Sequence, residues 1–162
     1  MTVTLVLGGA RSGKSAVAER RAGSGAVTYL ATGVADPGDG DMAARIATHR
    51  SRRPSTWTTV ETDDLTAAIR TSSGTVLVDS LTTWVARAPA FSVDAAALCR
   101  VLADHRGDAI VVSDEVGLGV HPSTEPGRRF RDALGQVNQA VGAVAGEVLL
   151  VVAGRVLRLD PP

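Results

Sequence analysis

The segment GGARSGKS fits the pattern G-x-x-x-x-G-K-[ST]. Glycines in this pattern let successive backbone N–H groups curl around a polyphosphate, and the helix that follows points its positive end at it. Lys14 is then placed to reach the β- and γ-phosphates, and the Ser15 hydroxyl to bind Mg²⁺. The other interpretation is a glycine-rich turn without a ligand. The predicted nucleotide-binding residues of this loop are Gly8, Gly9, Ala10, Arg11, Ser12, Gly13, Lys14 and Ser15.

The surroundings of the loop favour the nucleotide interpretation. The apolar run TVTLVLGG before it is typical of a buried strand, and a helix is predicted from Lys14 to about Arg21. Further strands are predicted at Ala26–Thr32, TWTTVE, Thr75–Ser80 and Asp108–Glu115, and helices at about Asp41–His49, Val93–Arg106 and Arg128–Ala145. EVLLVV, the turn AG and RVLRL predict a closing hairpin. This alternation predicts an α/β fold with a mainly parallel sheet, helices on both faces and a C-terminal antiparallel hairpin.

Composition excludes several classes of protein. The 162 residues suit one domain spanning 1–162, with no linker or internal repeat. Seventeen basic residues balance seventeen acidic ones, so no global field attracts nucleic acid or an anionic membrane. No signal peptide or membrane-spanning run is evident. The single cysteine, Cys99, fits a reducing cytosol and offers no disulfide or zinc site.

A phosphate loop calls for an acidic partner at the end of another buried strand. Asp79, in VLVDS, is the best candidate for a carboxylate that holds Mg²⁺. The alternative is a surface Asp that caps a helix beginning at Leu81, and the two roles are compatible. Asp114 and Glu115 end the next strand and are weaker candidates of the same kind.

His49 ends a predicted helix and is followed by a basic turn. Taken alone, a histidine at a helix C-terminus is more often structural than catalytic, since its cation complements the helix dipole. The arginines beside it, Arg50, Arg52 and Arg53, are equally consistent with a solvated basic end. The other histidines, His105 and His121, show no clear partner in the sequence.

A wider resemblance changes the interpretation of His49. The segments GGARSGKS, YLAT, MAARIATHRSRRPSTWTTVE, VLVDSLTTW, VSDEVGLGVHP and RRFRDALGQVNQ together resemble one family. It is the bifunctional adenosylcobinamide kinase/adenosylcobinamide-phosphate guanylyltransferase family of cobalamin biosynthesis. The resemblance runs from Val3 to the hairpin, and its His-bearing and EVGLG segments are far more specific than the phosphate loop.

The resemblance implies two reactions. A nucleoside triphosphate, ATP or GTP, first phosphorylates the corrinoid adenosylcobinamide. A histidine, at the position of His49, then attacks the α-phosphorus of GTP, releases pyrophosphate and passes GMP to the cobinamide phosphate. A neutral imidazole is a competent nucleophile near pH 7. Nearby arginines can neutralise charge developing on the phosphates.

Further nucleotide contacts are implied by the same resemblance. Glu61 is expected at guanine, since a carboxylate accepts from two N–H donors at once. The full implied set outside the phosphate loop is Thr32, Gly33, Val34, Arg50, Ser51, Arg52, Arg53, Glu61 and Asp79, with Ser15 and Asp79 at Mg²⁺.

Family members have RecA-like P-loop NTPase folds and assemble as trimers, so a cytoplasmic homotrimer is expected. This chain departs from the family at Asp114, where Asn is expected, and at Ser123, where Glu is expected. It is also short between Trp84 and Val93. Other hypotheses are a P-loop small-molecule kinase with a structural His49, or a non-catalytic GTP/ATP-binding regulatory module.

Overall fold

Short apolar strands alternate with helices along most of the chain. The computed structural model describes residues 2–33 and 53–161. Its strands are β1 Val3–Gly8, β2 Val27–Ala31, β3 Trp57–Glu61, β4 Thr75–Asp79, β5 Ala109–Asp114, β6 Glu147–Val152 and β7 Arg155–Leu159. Its helices are α1 Lys14–Ala22, α2 Leu65–Thr71, α3 Leu81–Arg87, α4 Ala95–Asp104 and α5 Glu125–Val144, with a 3₁₀ turn at Pro89–Phe91.

All described strands join one seven-stranded sheet in the order β3-β2-β4-β5-β1-β6-β7. Neighbouring strands are parallel except β6 and β7, which form an antiparallel hairpin. The predicted fold class is therefore confirmed. Because parallel strands end at one edge, the residues that follow β1, β2, β3, β4 and β5 are brought together there.

The sheet carries an apolar core on each face. On one face α1 buries Val17 and Ala18 against Val6, Leu77 and Ile110, among others. On the other face the remaining described helices cover alternate strand residues. Residues fully buried in that second core include Leu65, Ile69, Leu81, Val85, Leu98, Leu134 and Val141.

Helix boundaries differ from the prediction at several places. The last helix begins at Glu125 rather than Arg128, because the Thr124 side chain accepts from the Gly127 backbone N–H and Pro126 is tolerated in the first turn. Helix α2, which Asp64 caps, was not predicted. The helix predicted at 41–49 lies outside the described residues. Among the helices that are described, none is long and apolar enough to cross a membrane.

Candidate functional site

The loop between β1 and α1 has the backbone of a phosphate cradle. At Gly8 a Cβ would lie 2.4 Å from Ser12 Oγ and 2.7 Å from the Val151 carbonyl oxygen, so a side chain cannot fit there. At Gly13 the backbone is left-handed, with φ at 94°, immediately before Lys14 opens α1. The two glycines therefore meet two steric requirements, the lack of room for a side chain at Gly8 and the left-handed backbone at Gly13. The N-terminal end of α1 points outward from the loop.

The C-terminal hairpin supports this loop. The Gly154 N–H donates to the Ser12 carbonyl oxygen over 2.8 Å. Gly154 and Ala153 form the turn, with φ at 74° and 50°. The tip of the hairpin therefore packs on the phosphate loop, a contact that the sequence did not predict.

Lys14 lies between the loop and the end of β5. Its Nζ donates to the Gly9 carbonyl oxygen over 3.3 Å and pairs with Asp114 Oδ1 at 2.5 Å. The backbone of Asp114 is fixed on both sides, since its N–H donates to Thr82 Oγ1 and its carbonyl oxygen accepts from Asn138 Nδ2. Asp114 is thus a direct ionic partner of the loop lysine, whereas the sequence offers it only as a weaker Mg²⁺ candidate than Asp79.

Asp79 ends β4, separated from β1 by β5. It does not cap α3, because the helix is capped by the Ser80 side chain, which accepts from the Thr83 backbone N–H. The capping alternative for Asp79 is therefore wrong. Its Oδ2 instead accepts a hydrogen bond from the Tyr29 hydroxyl.

Tyr29 is buried in β2, and two side chains pack against its ring. The guanidinium carbon of Arg53 lies 3.3 Å from the ring centroid, and the Trp57 ring stacks with a centroid separation of 6.3 Å. Arg53 also donates to Thr59 Oγ1 over 3.0 Å. Burial, followed by the charge of Asp79, raises the pKa of Tyr29 far above its ordinary value, so the hydroxyl remains a proton donor.

Thr32 follows β2 and is buried. Its hydroxyl donates to the Ser80 carbonyl oxygen over 2.7 Å and lies 2.5 Å from Thr83 Oγ1. Its carbonyl oxygen accepts from Arg87, which also pairs with Asp63 at 2.5 Å. These contacts assign the Thr32 side chain to joining β2 with the start of α3, while its predicted nucleotide contact stays a prediction.

A cleft of about 430 Å³ lies beside this corner. Its walls combine apolar and charged side chains, including Trp84, Arg87, Asp63 and Val93. Pro89, the first residue of the 3₁₀ turn at Pro89–Phe91, lines one side. The cleft thus adjoins the end of β2, where Gly33 lies.

The remaining predicted site residues are placed as follows. Gly9, Ala10 and Arg11 are exposed in the phosphate loop. Glu61 ends edge strand β3 and is in register with Ala31, which is itself in register with Asp79. Val34, His49, Arg50, Ser51 and Arg52 lie outside the described residues.

The other histidines have structural partners that the sequence did not reveal. His105 is buried, and its Nε2 lies 2.7 Å from the Gly74 carbonyl oxygen. His121 Nδ1 lies 2.9 Å from Arg131 on α5. Each contact joins two segments that are distant in sequence or separated by a turn. Local sequence patterns do not predict contacts of this kind.

The predicted Mg²⁺ ligands Ser15 and Asp79 stay a prediction, although both are oxygen donors of the kind that Mg²⁺ prefers. Within residues 2–33 and 53–161, no group of three or more His, Cys, Asp or Glu side chains is placed to hold a metal. An all-protein cage is therefore not formed by these residues. One carboxylate and one hydroxyl, from Asp79 and Ser15, match the way Mg²⁺ is held, by few protein oxygens together with substrate phosphates.

Comparison with known proteins places this geometry in context. A family model described as "Cobinamide kinase / cobinamide phosphate guanyltransferase" matches residues 4–159. A Pseudomonas aeruginosa protein named "Bifunctional adenosylcobalamin biosynthesis protein CobP" is 42% identical, over 93% of this chain and 92% of its own length. An Escherichia coli protein, "Bifunctional adenosylcobalamin biosynthesis protein CobU", is 38% identical over 93% and 95%.

Among solved structures, the P4 protein from bacteriophage phi6 in complex with ADP aligns with a TM-score of 0.50 and 18% identity. The alignment covers 96% of this chain and 54% of the phage chain, so this chain spans about half the length of that protein. At this identity the likeness concerns the fold alone.

Proposed function

The chain belongs to the cobinamide kinase/cobinamide phosphate guanyltransferase family, and on that premise we propose that it catalyses both reactions in that description. As one domain spanning 1–162, it phosphorylates adenosylcobinamide with ATP or GTP and then adds GMP from GTP, giving adenosylcobinamide-GDP. The observation that carries the proposal is the phosphate loop, with left-handed Gly13 placing Lys14 at the head of α1.

In the kinase step, the substrate hydroxyl oxygen attacks the γ-phosphorus. The bond from that phosphorus to the bridging oxygen breaks, the nucleoside diphosphate leaves with the electron pair, and the hydroxyl proton is released to solvent. The loop backbone from Gly8 to Gly13 holds the phosphates, while Lys14 balances charge on the β- and γ-phosphates. In this proposal Lys14 exchanges its contact with Asp114 for one with the phosphates.

Ser15 and Asp79 hold Mg²⁺ in this proposal. When bound there, Mg²⁺ would supply positive charge to offset the negative charge on the phosphate oxygens. The position of Asp79 supports the assignment. Asp79 ends the buried strand β4 on the sheet face that α1 covers, and α3 is capped by Ser80 rather than by Asp79. Glu115 donates its backbone N–H to the Gly8 carbonyl oxygen and so braces the loop from β5.

In the guanylyl step, an imidazole nitrogen of His49 attacks the α-phosphorus of GTP and pyrophosphate leaves. A phosphate oxygen of cobinamide phosphate then attacks the same phosphorus and displaces the imidazole. Support for His49 comes from the sequence resemblance. Arg50, Ser51, Arg52 and Val34 are assigned to this nucleotide on the same ground, and Glu61 and Gly33 by their position at the carboxyl edge of the sheet.

Arg53 supports the neighbouring part of the site. Its guanidinium is engaged with Tyr29 and Thr59. It therefore anchors the chain four residues beyond His49, in addition to its proposed nucleotide contact.

A labelling experiment tests the two activities separately. The protein is incubated with Mg²⁺ and GTP labelled at either the α- or the γ-phosphate, and is then denatured. We expect the protein to retain only the α label, in a bond that resists alkali and breaks in acid, as a phosphorus–nitrogen bond does. In His49→Ala the label should be absent while nucleotide binding persists.

The outcomes separate the competing functions. Transfer of the γ label to cobinamide without α label on the protein would indicate a kinase without guanylyl transfer. A protein that binds GTP and shows no change in turnover when cobinamide is added would be a regulatory module. Either result would contradict the bifunctional proposal.

We also propose a cytoplasmic homotrimer. An exposed apolar strip on the hairpin, formed by Leu157 and Leu159 on one face of β7, supports association. Their partners on β6, Leu150 and Val148, pack against the core. Leu157 and Leu159 are 58% and 37% exposed, which is high for leucines on a sheet. The neutral net charge opposes no such contact.

A further inference from the structure

Tyr29 is the only tyrosine of the chain, and its hydroxyl contacts Asp79. The contact follows from the register of the sheet. Tyr29 pairs with Leu77 and Ala31 pairs with Asp79, so Tyr29 and Asp79 lie on the same face, on adjacent parallel strands. Since Tyr29 is 3% exposed, its hydroxyl points along the sheet toward the carboxyl edge rather than to solvent.

The orientation of the ring is fixed from outside the strand. Arg53 lies over the ring at 3.3 Å, and Trp57 stacks with an interplanar angle of 30°. Arg53 is held in turn by its hydrogen bond to Thr59 on β3. The turn residue Arg53 and the β3 residue Trp57 therefore contact the phenol ring and hold it in place.

A carboxylate that binds a metal is usually held by a hydrogen bond to its other oxygen. In Asp79 that bond is made through Oδ2. The competing explanation is that Asp79 merely satisfies a buried phenol. The location of the pair favours the metal role, since Asp79 ends β4 on the sheet face that α1 covers, and α1 directly follows the phosphate loop.

We propose that Tyr29 is a positioning residue for the divalent cation: it fixes Asp79 through Oδ2 and leaves Oδ1 to bind Mg²⁺ with the nucleotide. The inference rests on the proposed assignment of Asp79 to Mg²⁺. Tyr29 touches neither nucleotide nor corrinoid in this account. Tyr29 acts only by holding Asp79. The Arg53 guanidinium, which lies over the Tyr29 ring, keeps the Tyr29 hydroxyl in place.

Nucleotide binding without turnover tests the inference. The probe is GTP with a methylene bridge between its α- and β-phosphates, which cannot guanylylate the protein, and no corrinoid is added. Affinity is measured by calorimetry with Mg²⁺ and again with EDTA. The ratio of the two dissociation constants reports the contribution of the cation.

In Tyr29→Phe we expect the Mg²⁺-dependent gain in affinity to fall by about tenfold or more, the range found when a group behind a metal ligand is removed. Affinity in EDTA should be unchanged. Asp79→Asn should abolish the gain, and the double variant should behave like Asp79→Asn, because the two residues act as a unit. The matched control is Trp57→Phe, which keeps a ring against Tyr29 and should retain the full gain.

Two results overturn the inference. If Tyr29→Phe keeps the full Mg²⁺-dependent gain while Asp79→Asn loses it, the inference fails alone. If Tyr29→Phe weakens binding equally in Mg²⁺ and EDTA, Tyr29 is merely structural and the inference also fails. If Asp79→Asn keeps the gain, the metal assignment itself is wrong, and the inference falls with it.

Discussion

Lys14 contacts the carboxylate at the end of β5 and is also the proposed partner of the nucleotide phosphates. Its ammonium contacts Asp114 Oδ1 at 2.5 Å and the Gly9 carbonyl oxygen at 3.3 Å. A compact ammonium on a flexible stem can leave one partner for another, which a planar guanidinium does less readily. Asp114 therefore competes with the phosphates for the same cation.

Replacing Asp114 by Asn should strengthen nucleotide binding. The carboxylate is 24% exposed, so the lost ion pair is worth about 0.5–1 kcal/mol, or roughly two- to fivefold in affinity. Calorimetry with the same methylene-bridged GTP measures it. Weaker binding in Asp114→Asn would show instead that the carboxylate serves the bound nucleotide, as a metal ligand would.

Tyr29 also makes a prediction about pH. Its pKa is raised in the folded protein by burial and by Asp79, whereas the unfolded chain ionises near pH 10. Above that pH the unfolded state has lost a proton that the folded state keeps, so stability falls as pH rises. The slope from this group approaches about 1.4 kcal/mol per pH unit.

Denaturant unfolding between pH 9 and 11 measures this slope in the wild type and in Tyr29→Phe. The comparison is needed because burial also raises the pKa of Cys99, which acts in the same direction. We expect the variant to lose stability less steeply with pH. Equal slopes would mean that the Tyr29 hydroxyl ionises freely in the folded protein.

At the scale of elements, the sequence predicted most of the sheet. An apolar run that stops at a polar residue, such as TVLVD, predicts a buried strand. Helix α2 was not predicted because it is short. Of its seven residues, only Leu65 and Ile69 are buried. The start of α5 was predicted too late because the residues STEPG are typical of a loop. Thr124 is nevertheless a good helix cap.

The contacts within the site could not be predicted in the same way. Tyr29 and Asp79 are 50 residues apart, and they meet only because β2 and β4 are neighbours in a fixed register. The pairing of Lys14 with Asp114 depends equally on β5 lying beside β1. Strand order and register are set by the whole sheet, whereas a motif records only local spacing.

The hairpin makes a prediction at this scale. Gly154→Ala places a side chain on a residue with φ at 74°, which costs about 1–2 kcal/mol. Since the Gly154 N–H holds the Ser12 carbonyl oxygen, the variant should also weaken nucleotide binding. Thermal unfolding and calorimetry measure the two effects.

Gly74→Ala is the matched control. Gly74 has φ at 73° and, like Gly154, has open space where a Cβ would stand. Both variants should be destabilised to a similar extent, but only Gly154→Ala should lose nucleotide affinity. If the two bind nucleotide equally well, the hairpin does not support the loop.

For the molecule as a whole, the apolar strip on the hairpin predicts association. Leu157→Glu puts a charge in the strip and should shift the protein toward monomers in sedimentation velocity. Val156→Glu is the control, because Val156 is 49% exposed on the opposite face of β7. Equal sedimentation of Leu157→Glu and wild type would exclude the strip as the contact between subunits.

The bifunctional account depends on the whole chain, since the phosphate loop, the strand-end carboxylates and the His49 segment are far apart in sequence. The most direct test is the mass of the product formed from adenosylcobinamide, Mg²⁺ and GTP. We predict a first product heavier by one phosphate and a second heavier by a further GMP, with His49→Ala stopping at the first. A wild-type reaction that never passes the phosphorylated product, or that leaves adenosylcobinamide unchanged, would contradict the account.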